Sequence, residues 1–121
     1  MRETDLYLPL KGFLESQGYE VKGEILNCDV TAIRGDEAPV VAELKLHLNL
    51  DVILQAVERL SISPKVYIGV PKGCAPLKRR RKQLIKLMRM LGLGLLTIDP
   101  EGQAGEVNVI LDPGRYTPRV S

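Results

Sequence analysis

The chain has 121 residues, 45% of them hydrophobic and 26% charged, with a formal net charge of +2. That composition suits one globular domain spanning residues 1–121 and excludes a disordered chain. So small a net charge says nothing by itself about a nucleic-acid partner. Two cysteines without a CxxC pair, and a single histidine, speak against a disulfide framework and the common zinc sites. No apolar run has signal-peptide or membrane-span length, so no membrane partner and a reduced, cytoplasmic setting are expected. Aromatics at 4% argue against a base-stacking platform for single strands.

From Glu3 to Gln17, Leu6, Tyr7, Leu10, Phe13 and Leu14 fall at helical spacing, closed by Gly18. Pro9 either kinks this helix or marks where its regular part begins. Glu20 to Ile25 reads as a short, charged edge strand. Val30–Ile33 and Val40–Ala42 are β-branched runs around the turn Arg34-Gly35-Asp36, which predicts a hairpin. Alternation continues through Leu50, so the second hairpin strand is expected to run past Lys45. A helix follows with Asn49 as N-cap and Leu50, Ile53, Leu54, Val57 and Leu60 as its apolar stripe. Lys65–Val70 predicts a strand between prolines, and Pro76–Leu91 one helix with a buried stripe of Leu77, Leu84, Met88 and Leu91, ended by Gly92 and Gly94. Leu95–Ile98 and Val107–Leu111 complete an α-β-β-β-α-β-α-β-β order. The fold class is α/β: a mixed sheet with an antiparallel hairpin, then strands joined through helices that favour parallel neighbours.

If the hairpin is centred near Asp36, Thr31 faces Val41 and Asp29 faces Glu43. Asp29, Glu43 and Lys45 then share one face, with Val30, Ala42 and Leu44 on the other. Two carboxylates across a hairpin supply the oxygen donors that Mg²⁺ or Mn²⁺ needs, since such a hard cation keeps several waters. A cation held there would acidify a water and neutralise charge on a phosphate, and Lys45 could orient the attacking water or steady the equatorial oxygens. An isolated acid-x-lysine pair is more often a solvated ion pair. Here its nearly uncharged flanks and the polar Gln55 on the next helix favour chemistry.

Asp29, two strands, Glu43-Leu44-Lys45 and then Gln55 resemble the PD-(D/E)XK phosphodiesterase superfamily, which includes restriction endonucleases, archaeal junction resolvases and RecB-type repair nucleases. Glu3-Thr4-Asp5-Leu6-Tyr7 and Val41-Ala42-Glu43-Leu44-Lys45-Leu46 are similar to an uncharacterised bacterial family of phosphodiesterases of that type. The resemblance covers essentially the whole chain and implies a restriction-endonuclease-like core. It implies that Asp29 and Glu43 bind the metal, that Lys45 is the catalytic lysine, that Gln55 joins the active site, and that Glu3 is a further acid near the metal. Cys28 replaces the proline of the family name, and Arg59 stands where a tyrosine is expected one turn after Gln55. The alternative readings of Gln55 and Glu3 are a solvated helix position and a helix-start acid favoured by the dipole. His47 reads as a rim residue, and Cys28 and Cys74 as buried thiols without a histidine partner.

Along a continuous helix, Lys78, Arg79, Lys82, Lys86 and Arg89 share a broad face opposite the leucine stripe, and Lys72 extends it. Backbone phosphates, of DNA in preference to RNA, are the natural partner. A domain this small would gain grip on a duplex as a homodimer. The expected function is therefore metal-dependent hydrolysis of nucleic acid by a PD-(D/E)XK-type nuclease. The alternatives are a catalytically inactive nucleic-acid-binding module with the same fold and an enzyme for a small phosphodiester.

Overall fold

The computed structural model of the chain describes residues 1–23, 29–102 and 105–118. The elements run α1 (Thr4–Ser16), β1 (Glu20–Lys22), β2 (Val30–Ile33), β3 (Val40–Leu44), α2 (Leu50–Arg59), β4 (Lys65–Pro71), α3 (Ala75–Arg79), α4 (Arg81–Leu91), β5 (Gly94–Asp99) and β6 (Glu106–Leu111). The strands form one six-stranded mixed sheet in sequential order, β1 to β6. β1, β2 and β3 pair antiparallel, β3, β4 and β5 parallel, and β6 closes antiparallel on β5. The architecture is α/β, with helices on both faces of the sheet. No helix among the described residues is long and apolar enough to cross a membrane.

Two apolar layers hold the helices to the sheet. On one face, Leu6, Leu10 and Leu14 of α1 pack with Val30, Ala32, Ala42, Leu44, Leu96 and Ile98. On the other, Val52 and Ala56 of α2, Leu77 of α3, and Leu84 and Met88 of α4 cover Val41, Val66, Ile68 and Leu95. α1 runs through Pro9 without interruption. Gly18 follows it in a left-handed conformation (φ 88°). The expected edge strand lies at the sheet edge and ends at Lys22, where Gly23 bends; the last two residues of that expectation, and Cys28, fall outside the described residues.

Several expected boundaries are corrected. β3 stops at Leu44: the Lys45 N–H still donates to Gly69 O (3.0 Å), but residues 46 and 47 then bend, and the Asn49 side chain caps α2 by accepting from Val52 N–H (3.2 Å). The stripe that α2 buries is the expected one only in part: Ile53 and Leu60 pack half-buried on the core, but Val52 and Ala56 point inward and Leu50, Leu54 and Val57 are exposed. The single helix expected over Pro76–Leu91 is two, broken at Arg80 (φ −136°, ψ 38°). No glycine or proline marks that break. Gly92 alone ends α4, in the left-handed region (φ 80°), and Gly94 instead begins β5. Leu91 is only half-buried.

Gly94 sits where no side chain fits. A Cβ there would lie 2.6 Å from Cδ2 of Tyr67 and 2.8 Å from Cδ of Pro113. Tyr67 cannot swing aside freely, because its hydroxyl donates to Asp112 Oδ1 (3.0 Å). Gly94→Ala is therefore expected to destabilise the fold by about 1–3 kcal/mol through overpacking. Urea unfolding should show the lowered midpoint, and an unchanged midpoint would contradict this packing.

Candidate active site

The hairpin register is the predicted one. Thr31 pairs with Val41 and Val30 with Ala42. One residue earlier, Asp29 stands at the mouth of the hairpin, where its carboxylate replaces ladder pairing: Leu44 N–H donates to Asp29 Oδ2 (2.8 Å). Asp29 is half-buried and lines a cleft of about 320 Å³ with Glu3, Thr4, Tyr7 and Leu44, on the α1 side of the sheet.

Glu43 points the other way, toward α2, and is 2% exposed. Its Oε1 accepts from Arg59 Nε at 2.6 Å, an ion pair whose guanidinium side chain is itself only 18% exposed. Burial pushes the Glu43 carboxyl above the usual carboxylate range. Arg59 pulls it back, and the neighbouring Asp29 carboxylate raises it again by charge and by hydrogen bonding. The single face expected for Asp29, Glu43 and Lys45 is thus corrected: Asp29 and Lys45 turn to the α1 side and Glu43 to α2, with the Asp29 charge still felt at Glu43 from the end of the hairpin.

Lys45 lies one residue beyond β3, half-buried, and its Nζ is 3.9 Å from Glu3 Oε1. The amine therefore pairs with the residue that precedes α1, on the side of the sheet away from the Glu43–Arg59 pair. Glu3 shares that cleft with Asp29, but among the described residues no three or more His, Cys, Asp or Glu side chains gather into one cation-binding group. Gln55 is half-buried on α2, one turn before Arg59 and beside the inward Val52–Ala56 line. His47 is exposed in the bend after β3, and Cys74 is a free thiol packed on the core at the start of α3.

Arg59 is the residue that sequence reasoning undervalued. It stands as a departure from a family pattern, yet it is the cation that meets Glu43. The signal was present: Val52, Gln55, Ala56 and Arg59 recur at helical spacing, but leucine and valine at Leu50, Leu54 and Val57 outweighed them in any hydrophobic count.

The cations expected to contact phosphate, Lys72, Lys78, Arg79, Lys82, Lys86 and Arg89, are all exposed. They do not share one helix face, because the break at Arg80 divides Lys78 and Arg79 from the rest. Lys72 follows the end of β4, and its N–H donates to Ile98 O (3.0 Å). β3 and β4 are parallel, so Lys45, Lys72 and the start of α3 lie on the same edge of the sheet. Arg81 and Lys82 occupy the first turn of α4, where the helix dipole disfavours cations. Comparison with protein-family models, curated proteins and solved structures gave no match.

Because the Glu43 carboxyl is held above its unfolded value, its contribution to stability is complete below the unfolded value of 4.5 and is lost as pH rises through the folded value. Glu43→Gln is therefore expected to flatten the fall in stability above pH 4.5. Arg59→Leu should sharpen that fall, costing about 3 kcal/mol near neutral pH by leaving a buried carboxylate without this partner, with recovery on acidification. Thermal unfolding of the two variants from pH 4 to 8 checks both, and parallel pH profiles in wild type and Glu43→Gln would contradict the assignment.

Proposed function

We propose that the chain is a metal-dependent phosphodiesterase of the PD-(D/E)XK type acting on nucleic acid, DNA in preference to RNA. The observation that carries this reading is the placing of Asp29 at the hairpin mouth, bound to the amide of Leu44 between Glu43 and Lys45, in a cleft it shares with Glu3. Two carboxylates brought together in a half-buried place repel, and a divalent cation relieves that repulsion. The order of a helix, an antiparallel three-strand meander, a helix and a parallel strand agrees with a restriction-endonuclease-like core.

The donor set fits Mg²⁺ or Mn²⁺: both groups offer hard oxygen, and the cation completes its shell with water. Asp29 would hold it from the cleft it shares with Glu3, and Glu43 would join on leaving Arg59 and turning from the α2 side. Bound there, the ion would supply charge neutralisation at the scissile phosphate and acidify a water. Lys45, released from Glu3, donates to the equatorial phosphate oxygens or orients the attacking water, and Gln55 positions that water from the α2 side. Lys72, Lys78, Arg79 and Lys82 bind backbone phosphates on the Lys45 edge by salt-sensitive contacts that carry no sequence preference. A homodimer would let two such edges grip one duplex.

A second reading has its own observation. Arg59 already neutralises Glu43 at 2.6 Å, as a nucleic-acid-binding module that had lost its metal would permit. The two readings part on cleavage. The nuclease reading expects Mg²⁺- or Mn²⁺-dependent cleavage of single-stranded, duplex or branched DNA, lost in EDTA. It expects Lys45→Ala to lower the rate at least about 100-fold without changing the circular dichroism spectrum. It also expects Mn²⁺ to raise the thermal midpoint of wild type but not of Asp29→Ala. Binding that is indifferent to Asp29→Asn, with no cleavage in either metal, would sink the nuclease reading and leave the binding module.

A further inference from the structure

Gly92 and Gly94 let the chain after β6 lie against the end of α4. Gly114 N–H donates to Gly92 O (3.3 Å), and a Cβ at Gly92 would meet Gly114 O at 3.1 Å. Pro113 seats over Gly94 in the same way. These contacts fix the path of the next residues, and they bring Arg115 and Tyr116 beside Lys86 and Arg89 of α4 around a cleft of about 900 Å³. No acidic side chain among the described residues lines it. Among the described residues, none of these three cations forms an ion pair with a carboxylate.

The helix dipole accounts for cations in the second half of α4. It does not account for Arg115, which arrives on a separate segment, and three like charges around one cleft cost free energy unless an anion is present. The scarcity of aromatics excludes an extended stacking platform but leaves room for one ring, and Tyr116, 39% exposed, supplies it beside these cations. Cations that track a phosphate backbone, next to a ring that accepts a base, are the chemistry of single-strand binding. We propose that the cleft between α4 and residues 115–118 is a single-stranded nucleic-acid site, in which Lys86, Arg89 and Arg115 hold phosphates and Tyr116 stacks on an unpaired base.

The site lies away from the Lys45 edge. α4 leads back to the start of β5, whereas Lys45 and Lys72 lie where β3 and β4 end. α4 itself spans about 16 Å, room for two or three nucleotide steps. The proposal deepens the nucleic-acid reading: a strand engaged at Lys45 would run along α4 and be held at its far end. That places the unpaired part of the substrate outside the cleavage edge.

The test uses the full chain carrying Lys45→Ala, in EDTA, so that binding is read without cleavage. Fluorescence anisotropy with a short labelled single strand, and with the same sequence as a duplex, gives the affinities across a salt series. Tyr116→Ala is expected to weaken single-strand binding about tenfold, with Tyr116→Phe close to the parent and duplex binding little changed. Arg115→Gln should reduce the slope of log affinity against log salt by about 0.7. Single-strand binding unchanged in both Tyr116→Ala and Arg115→Gln would overturn the site, as would polyglutamate competing as well as the oligonucleotide. A wild type that cleaves nothing while these binding effects persist removes the nuclease reading and leaves this site standing; normal cleavage with unchanged binding in both variants does the reverse.

Discussion

A carboxylate carried into a protein interior on a central strand must be met there, or it will not stay charged. Glu43 is that carboxylate, on a strand otherwise made of valine, alanine and leucine. The guanidinium that meets it comes from the last turn of α2, and meeting it fixes how α2 is rotated on the sheet. With Arg59 inward, the small Val52 and Ala56 take the centre of the contact and Ile53 and Leu60 pack half-buried beside them. Leu50, Leu54 and Val57 are turned to solvent as a result. One ion pair thus decides which side of a helix the core receives, consistent with a specifying role for buried charge that contributes little net stability.

The same demand explains how far the sequence could be read. Thr31 opposite Val41 followed from two β-branched runs and one turn, because strand parity leaves a single register that buries both valines and alanines. The rotation of α2 did not follow, because periodicity weighs apolar residues and ignores a buried partner waiting on the sheet. The break at Arg80 was equally silent, with no glycine or proline at the spot. The end of β3 was misread because Leu46 and Leu48 keep the strand alternation while serving a loop that leads to the Asn49 cap. Asp29 and Glu43 were legible as close in the hairpin, but not that they turn to opposite sides of the sheet. Nor was it legible that Lys45 turns to Glu3, since α1 is remote in sequence and only tertiary packing brings the residue that precedes it there.

The arrangement also separates two kinds of charge. Near the hairpin the charges are few, matched and partly buried: Asp29 with a backbone amide, Glu43 with Arg59, Lys45 with Glu3. Along α3 and α4 they are many, of one sign and exposed. Matched charges hold geometry, whereas one-signed surfaces gather a partner of opposite sign from solution. A protein that acts on a polyanion gains from both: a small ordered centre and a larger, softer surface that delivers substrate to it.

The sheet's sequential strand order has a consequence for how the chain acquires this centre. Every strand pairs with the one made just before it, so a chain growing from its N-terminus can extend the sheet at one open edge. α1 is the exception. Its leucines are made first, yet they rest on Leu96 and Ile98 of β5, almost the last strand to appear. Until β5 is in place, α1 lacks half of its seat, and Glu3 has no fixed position across from Lys45. Asp29 and Glu43 can come close in the hairpin early in synthesis, but the cleft around Asp29 is walled only when the C-terminal third of the chain has joined the sheet.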